Sequence, residues 1–321
     1  MDQLAGVFVA NHSSFIQIEK MSNVFGKSAL QSIIPVDLFL FLISNDLNFK
    51  TMNLKTNLVL FLILISVIFT SAQEVFKNKD LTITKLEKNM WVVETTDKTT
   101  MYLIEGTEKA LLIDTGTKCE KLDEVIRKIT QKPLYVVITH AHGDHDGNIG
   151  YFEEIYLHAA DTVLLGKTYK GKVHFVKDGD VFDLGGKKIE VSHMPAHTPG
   201  SIVLLDRKAG TCYSGDAFGS GQVWLQLRPY APMKTYIESC KKMENLMDVG
   251  ITKIYCGHYP YVKKAYDKAY ITEMRTLAEA LVSGTAPEAK PHPQKVSIGS
   301  ENPMMVTLGG ATIVYDPEHL K

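Results

Sequence analysis

Neither sign of charge is in surplus in this chain: 35 Lys plus Arg stand against 36 Asp plus Glu in 321 residues, a formal net charge of −1. Binding to nucleic-acid phosphates draws on a clear excess of Lys and Arg, so no nucleic-acid partner is expected. Cysteine is scarce as well. Cys119, Cys212, Cys240 and Cys256 are scattered and form no C-x-x-C pair, which argues against a disulfide scaffold and a thiolate zinc site and leaves packing as their expected role. There is no G-x-S-x-G elbow to present a serine nucleophile, no short-period repeat and no low-complexity tract. What remains, with 45% hydrophobic and 22% charged residues, is ordinary globular composition.

One apolar run interrupts that composition. Leu58 to Phe69 holds twelve apolar or small residues without a charge, preceded by Met52 and Lys55 and followed by Thr70-Ser71-Ala72-Gln73. A basic start, a short apolar core and small residues before a cleavage point form the grammar of a signal peptide. The core falls short of the roughly 20 residues of a membrane span, and an uncleaved anchor is the alternative. The division expected is therefore a mis-called or disordered extension over residues 1–51, a signal peptide over 52–72 with Met52 as the true start, and one domain over 73–321. Removal of the leader leaves the charge near zero. The expected location is periplasmic or secreted, with membrane contact only through an uncleaved leader. Export also permits disulfides, and pairing and oligomeric state stay open.

Past Gln73 the pattern becomes regular. Leu81–Thr84, Met90–Thr95, Met101–Glu105 and Ala110–Asp114 read as a strand meander. Leu122, Val125, Ile126 and Ile129 repeat at helical spacing, and Leu134–Ile138 reads as a buried central strand. Lys188–Met194, Ile202–Asp206, Thr211–Ser214 and Ile254–Cys256 form a second set of strands. Two helices are expected, one through Tyr236, Cys240, Met243 and Met247 ending at Gly250, the other through Tyr266, Tyr270, Leu277 and Leu281 ending at Gly284. Val306–Leu308 and Ala311–Tyr315 suggest a closing hairpin. Two sheets packed face to face between helical layers satisfy both halves.

Eleven histidines are many for this length, and three of them crowd into His140-Ala141-His142-Gly143-Asp144-His145. Four possible ligands in six residues, on a glycine-containing loop leaving a strand, point to a metal site. Imidazoles with a carboxylate and no neighbouring thiol suit Zn, Fe, Co or Mn. Five further histidines, His158, His174, His193, His292 and His319, read as structural.

The run His-x-His-x-Asp-His resembles the signature of the metallo-β-lactamase superfamily. The likeness continues in order through His197 in Pro195-Ala196-His197-Thr198-Pro199-Gly200, Asp216 in Ser214-Gly215-Asp216-Ala217 and His258 in Cys256-Gly257-His258. Asp114, in Leu112-Ile113-Asp114-Thr115-Gly116, resembles the early acidic motif of that family. The resemblance implies an α/β fold, the αββα four-layer sandwich, with metals at one end of the sheets. Carried over by position, His140, His142 and His197 would hold one metal and Asp144, His145 and His258 a second, with Asp216 bridging. Asp114 would hold the metal loop through hydrogen bonds without ligating.

The activity implied is that of an exported dinuclear zinc hydrolase, with Fe or Mn as alternative metals. A hydroxide generated between the two metals would attack a small ester, thioester, lactone or amide, and Asp144 would orient it and take its proton. Flavodiiron members carry Glu where this chain has His142, and zinc β-lactamases have Cys or Ser where it has Asp216. Acyl-homoserine lactonases carry Tyr where it has Gly219. Cys256-Gly257-His258 resembles the last ligand segment of hydroxyacylglutathione hydrolases, but their basic C-terminal motif is not apparent. Antibiotic hydrolysis, a mononuclear iron sulfur or persulfide dioxygenase, and a catalytically silent metal-binding protein are the alternatives. A glycine-hinged lid or pocket wall over residues 219–230 is expected to offer Trp224 and Tyr230 to an apolar part of the small-molecule substrate, with Tyr259 a further pocket candidate.

Overall fold

The computed structural model describes residues 73–166 and 169–320. The expected extension and leader lie outside the described residues. Alternating apolar residues separated by polar turns produce the first sheet in chain order: β1 (Gln73–Lys77), β2 (Leu81–Glu87), β3 (Met90–Thr95), β4 (Thr100–Glu105) and β5 (Ala110–Ile113), each antiparallel to the next. After β5 the direction of pairing changes, because α1 (Leu122–Arg127) carries the chain back across the sheet. The strands β6 (Leu134–Val137), β7 (Glu154–His158) and β8 (Lys172–Val176) then add in parallel, making eight strands.

A second sheet has the order β14-β12-β11-β10-β9, from β9 (Val181–Asp183), β10 (Lys188–His193), β11 (Ile202–Asp206), β12 (Thr211–Tyr213) and β14 (Lys253–Tyr255). β14 joins β12 in parallel after α2 (Met233–Asp248). A third sheet of four short strands combines β13 (Gln222–Trp224) with β15 (Lys290–Pro291), β16 (Met304–Leu308) and β17 (Ala311–Tyr315). Two more helices, α3 (Tyr259–Val262) and α4 (Lys268–Ser283), complete the chain.

Period-two alternation decides which residues meet. Leu111 and Ile113 of β5 pack with Ile189, Val191, Ile202 and Leu204 of the second sheet, whereas Leu112 between them packs with Leu122, Val125 and Ile126 of α1. On the far side, Val203, Leu205 and Ile254 face Tyr236, Met243, Met274 and Leu277 of α2 and α4. The layers are therefore helix, sheet, sheet, helix, and the expected αββα sandwich is the fold. All four cysteines are buried and free.

Two local expectations change, at the start of α4 and in the stretch over residues 219–230. Tyr266 lies ahead of α4, where its N–H and carbonyl pair with Ile254, and the helix starts only after Asp267 caps it by accepting from the Tyr270 N–H at 3.3 Å. His174 belongs to β8, stacked on Tyr156 and 2.8 Å from Glu154. The stretch read as a lid or pocket wall contains β13, paired in parallel with β17, so backbone hydrogen bonds fix its centre and leave the wall and not the lid. Among the described residues no helix is long and apolar enough to cross a membrane.

Candidate metal centre

The loop after β6 carries four of the sequence candidates to one end of the sandwich, where loops from the second sheet meet it. Two groups result: His140, His142 and His197 in one, and Asp144, His145, Asp216 and His258 in the other. In each group one potential ligand atom per residue lies within 4.8 Å of the others. Asp216 stands between them. Its Oδ2 is 3.9 Å from Nε2 of His197 and 3.3 Å from Nε2 of His258.

Most of these imidazoles are oriented by a partner on the ring nitrogen that faces away from the centre. Nδ1–H of His145 donates to Asp114 Oδ2 at 2.8 Å, and Nδ1–H of His197 donates to the Trp224 carbonyl at 2.8 Å. His140 Nδ1 lies 3.1 Å from the Thr139 hydroxyl, which itself donates to Asp114 Oδ2 at 2.8 Å. His258 Nδ1 reaches the Lys98 carbonyl at 3.3 Å. Asp114 also accepts the Thr139 N–H at 2.7 Å, so one buried carboxylate fixes the start of the loop and the tautomer of His145.

The two groups differ in charge. Burial, with neighbouring histidines adding to it, holds His140 well below the usual imidazole pKa and brings His142 to about 3. Burial lowers His197 too. These three rings are neutral, and Nε2 of His140 faces Nε2 of His197 at 3.2 Å. With the Nδ1 protons of His140 and His197 engaged elsewhere, their Nε2 lone pairs point at one another, and His142 Nδ1 joins them 3.1 Å from His197 Nε2, so three ring nitrogens converge as the ligands of one cation would. In the second group burial is outweighed by charge. Asp216 and Asp144 hold His258 up at about 10, and both carboxyls fall below their usual range beside His145 and His258. The buried Nε2 of His145 and Oδ1 of Asp216 have no hydrogen-bond partner, which fits their use as ligand atoms. The donor set of imidazoles and carboxylates suits divalent metals.

The pocket candidates fare unevenly. Trp224 reaches the centre through its carbonyl, and its ring meets His292 edge-on with centroids 5.1 Å apart. Tyr230 is stacked on His319 at 3.9 Å and is not brought to the metal groups. The Tyr259 ring packs 5.8 Å from that of Tyr255, while its N–H donates to the Thr100 hydroxyl at 3.1 Å. Tyr261, which sequence reasoning passed over, is 63% exposed with its ring 6.0 Å from that of His258. Asn148 was also missed: it ties this loop to the one after β5 through the Cys119 N–H and the carbonyls of Thr115 and Thr117. Its position three residues past His145 was the only available signal.

Comparison with known proteins agrees with this geometry. A family model described as the metallo-beta-lactamase superfamily matches residues 95–258, just over half of the chain. An acyl-coenzyme A thioesterase, MBLAC2, of Gallus gallus is 29% identical over 208 residues, covering 52% of this chain and 74% of the relative. A hydroxyacylglutathione hydrolase of Francisella philomiragia is 30% identical over 142 residues, covering 42% and 54% respectively. The crystal structure of VMB-1 superposes with a TM-score of 0.52 at 17% identity, covering 64% of this chain and 100% of that one, a likeness of fold.

Proposed function

Because the chain belongs to the metallo-beta-lactamase superfamily, we propose that it is an exported dinuclear zinc hydrolase whose substrates are small esters and, first among them, thioesters. The observation that carries the reading is the position of Asp216, whose Oδ2 faces a histidine of each group. His140, His142 and His197 would hold one metal and Asp144, His145 and His258 the other, with Asp216 shared. Metal held there would supply a water acidified towards a pKa of about 7 and a Lewis acid for the substrate carbonyl.

The protein's own part is orientation and proton handling. Asp144, whose side chain is 40% exposed and whose Oδ2 is 3.4 Å from His258 Nε2, faces the open side of the centre and would orient the attacking water and accept its proton at a carboxylate oxygen. Asp114 and the Trp224 carbonyl keep His145 and His197 in one tautomer throughout. No side-chain nucleophile is needed. A thiol leaves as a thiolate near neutral pH, its pKa being about 8.5, so a thioester asks for no strong general acid at the leaving group. The thioesterase and hydroxyacylglutathione hydrolase relatives support this order of substrates. Export rests on the leader pattern of residues 52–72.

Metal analysis combined with a panel of acyl thioesters, esters, lactones and β-lactams tests the proposal. Two zinc ions per chain and turnover of a thioester are expected. One iron per chain, or two zinc ions with no turnover across the panel, would overturn it. Mass spectrometry of the native protein should find Gln73 at the N-terminus, and a peptide from residues 1–51 would refute the expected start.

A further inference from the structure

We propose that Asp161 is a positioning residue that sets the spacing of the three-histidine group, a role resting on the metal-hydrolase reading above. Asp161 lies in the single 3-10 turn Ala159–Val163 that follows β7, and its side chain is fully buried. Both carboxylate oxygens are in use. Oδ2 accepts the N–H of Ala141 at 2.9 Å and the hydroxyl of Thr198 at 2.9 Å, and Oδ1 accepts the N–H of Gly200 at 2.5 Å. Ala141 stands between His140 and His142, and Thr198 follows His197 directly. One rigid fork therefore clamps the loop bearing two members of the group to the loop bearing the third.

The chemistry of the clamp explains why a carboxylate stands there. Burying a charge costs several kcal/mol unless its acceptor sites are filled, and here all its partners are neutral donors. An amide of the same shape would have to aim an NH2 at one of those donors. The approach is also as close as the backbone allows. A Cβ on Gly200 would lie 2.6 Å from Oδ1 and 2.7 Å from the backbone nitrogen of Asp161, so the loop admits no side chain at this point. A second brace acts at the same place: His193 Nε2–H donates to the Pro199 carbonyl at 2.9 Å, with its ring stacked on His158 at 3.9 Å. The fork and the stack together hold the His197 loop against the end of β7.

Competition between the full chain and a chromogenic zinc chelator measures both zinc affinities and tests the role. In Asp161→Asn one site should weaken by about 10–100-fold, the cost usual for losing a partner that orients ligands, while the other site stays near wild type. Thr198→Val keeps the carboxylate and removes one of its three donors, so it should show a smaller loss at the same site. Gly200→Ala should match Asp161→Asn. Two unchanged affinities in folded Asp161→Asn would overturn the inference, as would equal weakening of both sites, which marks general stability. Should Asp161→Asn not fold, unchanged affinities in Thr198→Val and Gly200→Ala would overturn it equally. A wild-type chain that binds no zinc refutes the metal-hydrolase reading instead.

Discussion

Gly257 shows how much of the centre depends on atoms that are missing. A Cβ there would stand 2.4 Å from Asp216 Oδ1 and 2.7 Å from His145 Cε1, so the chain passes between two members of the second group only as glycine. If the chain is the dinuclear zinc hydrolase proposed, Gly257→Ala is expected to displace one or both side chains, lowering bound zinc from two ions towards one and the rate of hydrolysis by about 10–100-fold. Elemental analysis beside a rate assay checks this, and full zinc with full rate would refute it. The Cys256-Gly257-His258 motif was readable in the sequence, but the reason for its glycine was not, because it arises from two residues more than 40 and 100 positions upstream. Asp161 was hidden for the same reason. By contrast, His140, His142, Asp144 and His145 were legible at once, since the chain delivers them on one loop.

At the scale of elements, legibility follows burial. β11 and β17 were readable to the residue, each being a mostly buried apolar run. β8, with sequence KVHFV, hides its pattern because it is an edge strand that exposes Lys172 and Phe175. β13 has only three residues, directly after Gly221, and becomes a strand only through β17, which no local signal announces. The two long helices were plain from their spacing, and their packing yields a test. Leu277 of α4 is completely buried among α2 and α4 side chains, whereas Val282 on the same helix is 42% exposed. Leu277→Ala should cost about 2–5 kcal/mol in urea denaturation, and Val282→Ala less than about 0.5 kcal/mol. Equal effects would contradict the layer order.

Across the whole molecule, the centre is where the two sheets are fastened at one end. Tyr102 on β4 donates to the Cys256 carbonyl at 2.6 Å, and the Thr100 N–H donates to the Gly257 carbonyl at 2.7 Å, so the first sheet holds the loop bearing His258. Ile202 of the second sheet donates its N–H to the Thr139 carbonyl at 2.9 Å, next to His140. Ligands from both sheets therefore meet across the interface, and a cation bound by them would act as a cross-link between layers. Binding to the folded state alone stabilises by about 4.1 kcal/mol per site when free metal stands at about 1,000 times Kd. For a domain of this size each kcal/mol moves the midpoint by roughly 2–4 °C. Stripping the metal with a chelator should thus lower Tm by roughly 8–16 °C for one site and more for two, and zinc should restore it. A midpoint unmoved by chelation, in protein shown by elemental analysis to have lost its zinc, would mean that the sheets are fastened by Tyr102 and its neighbours alone.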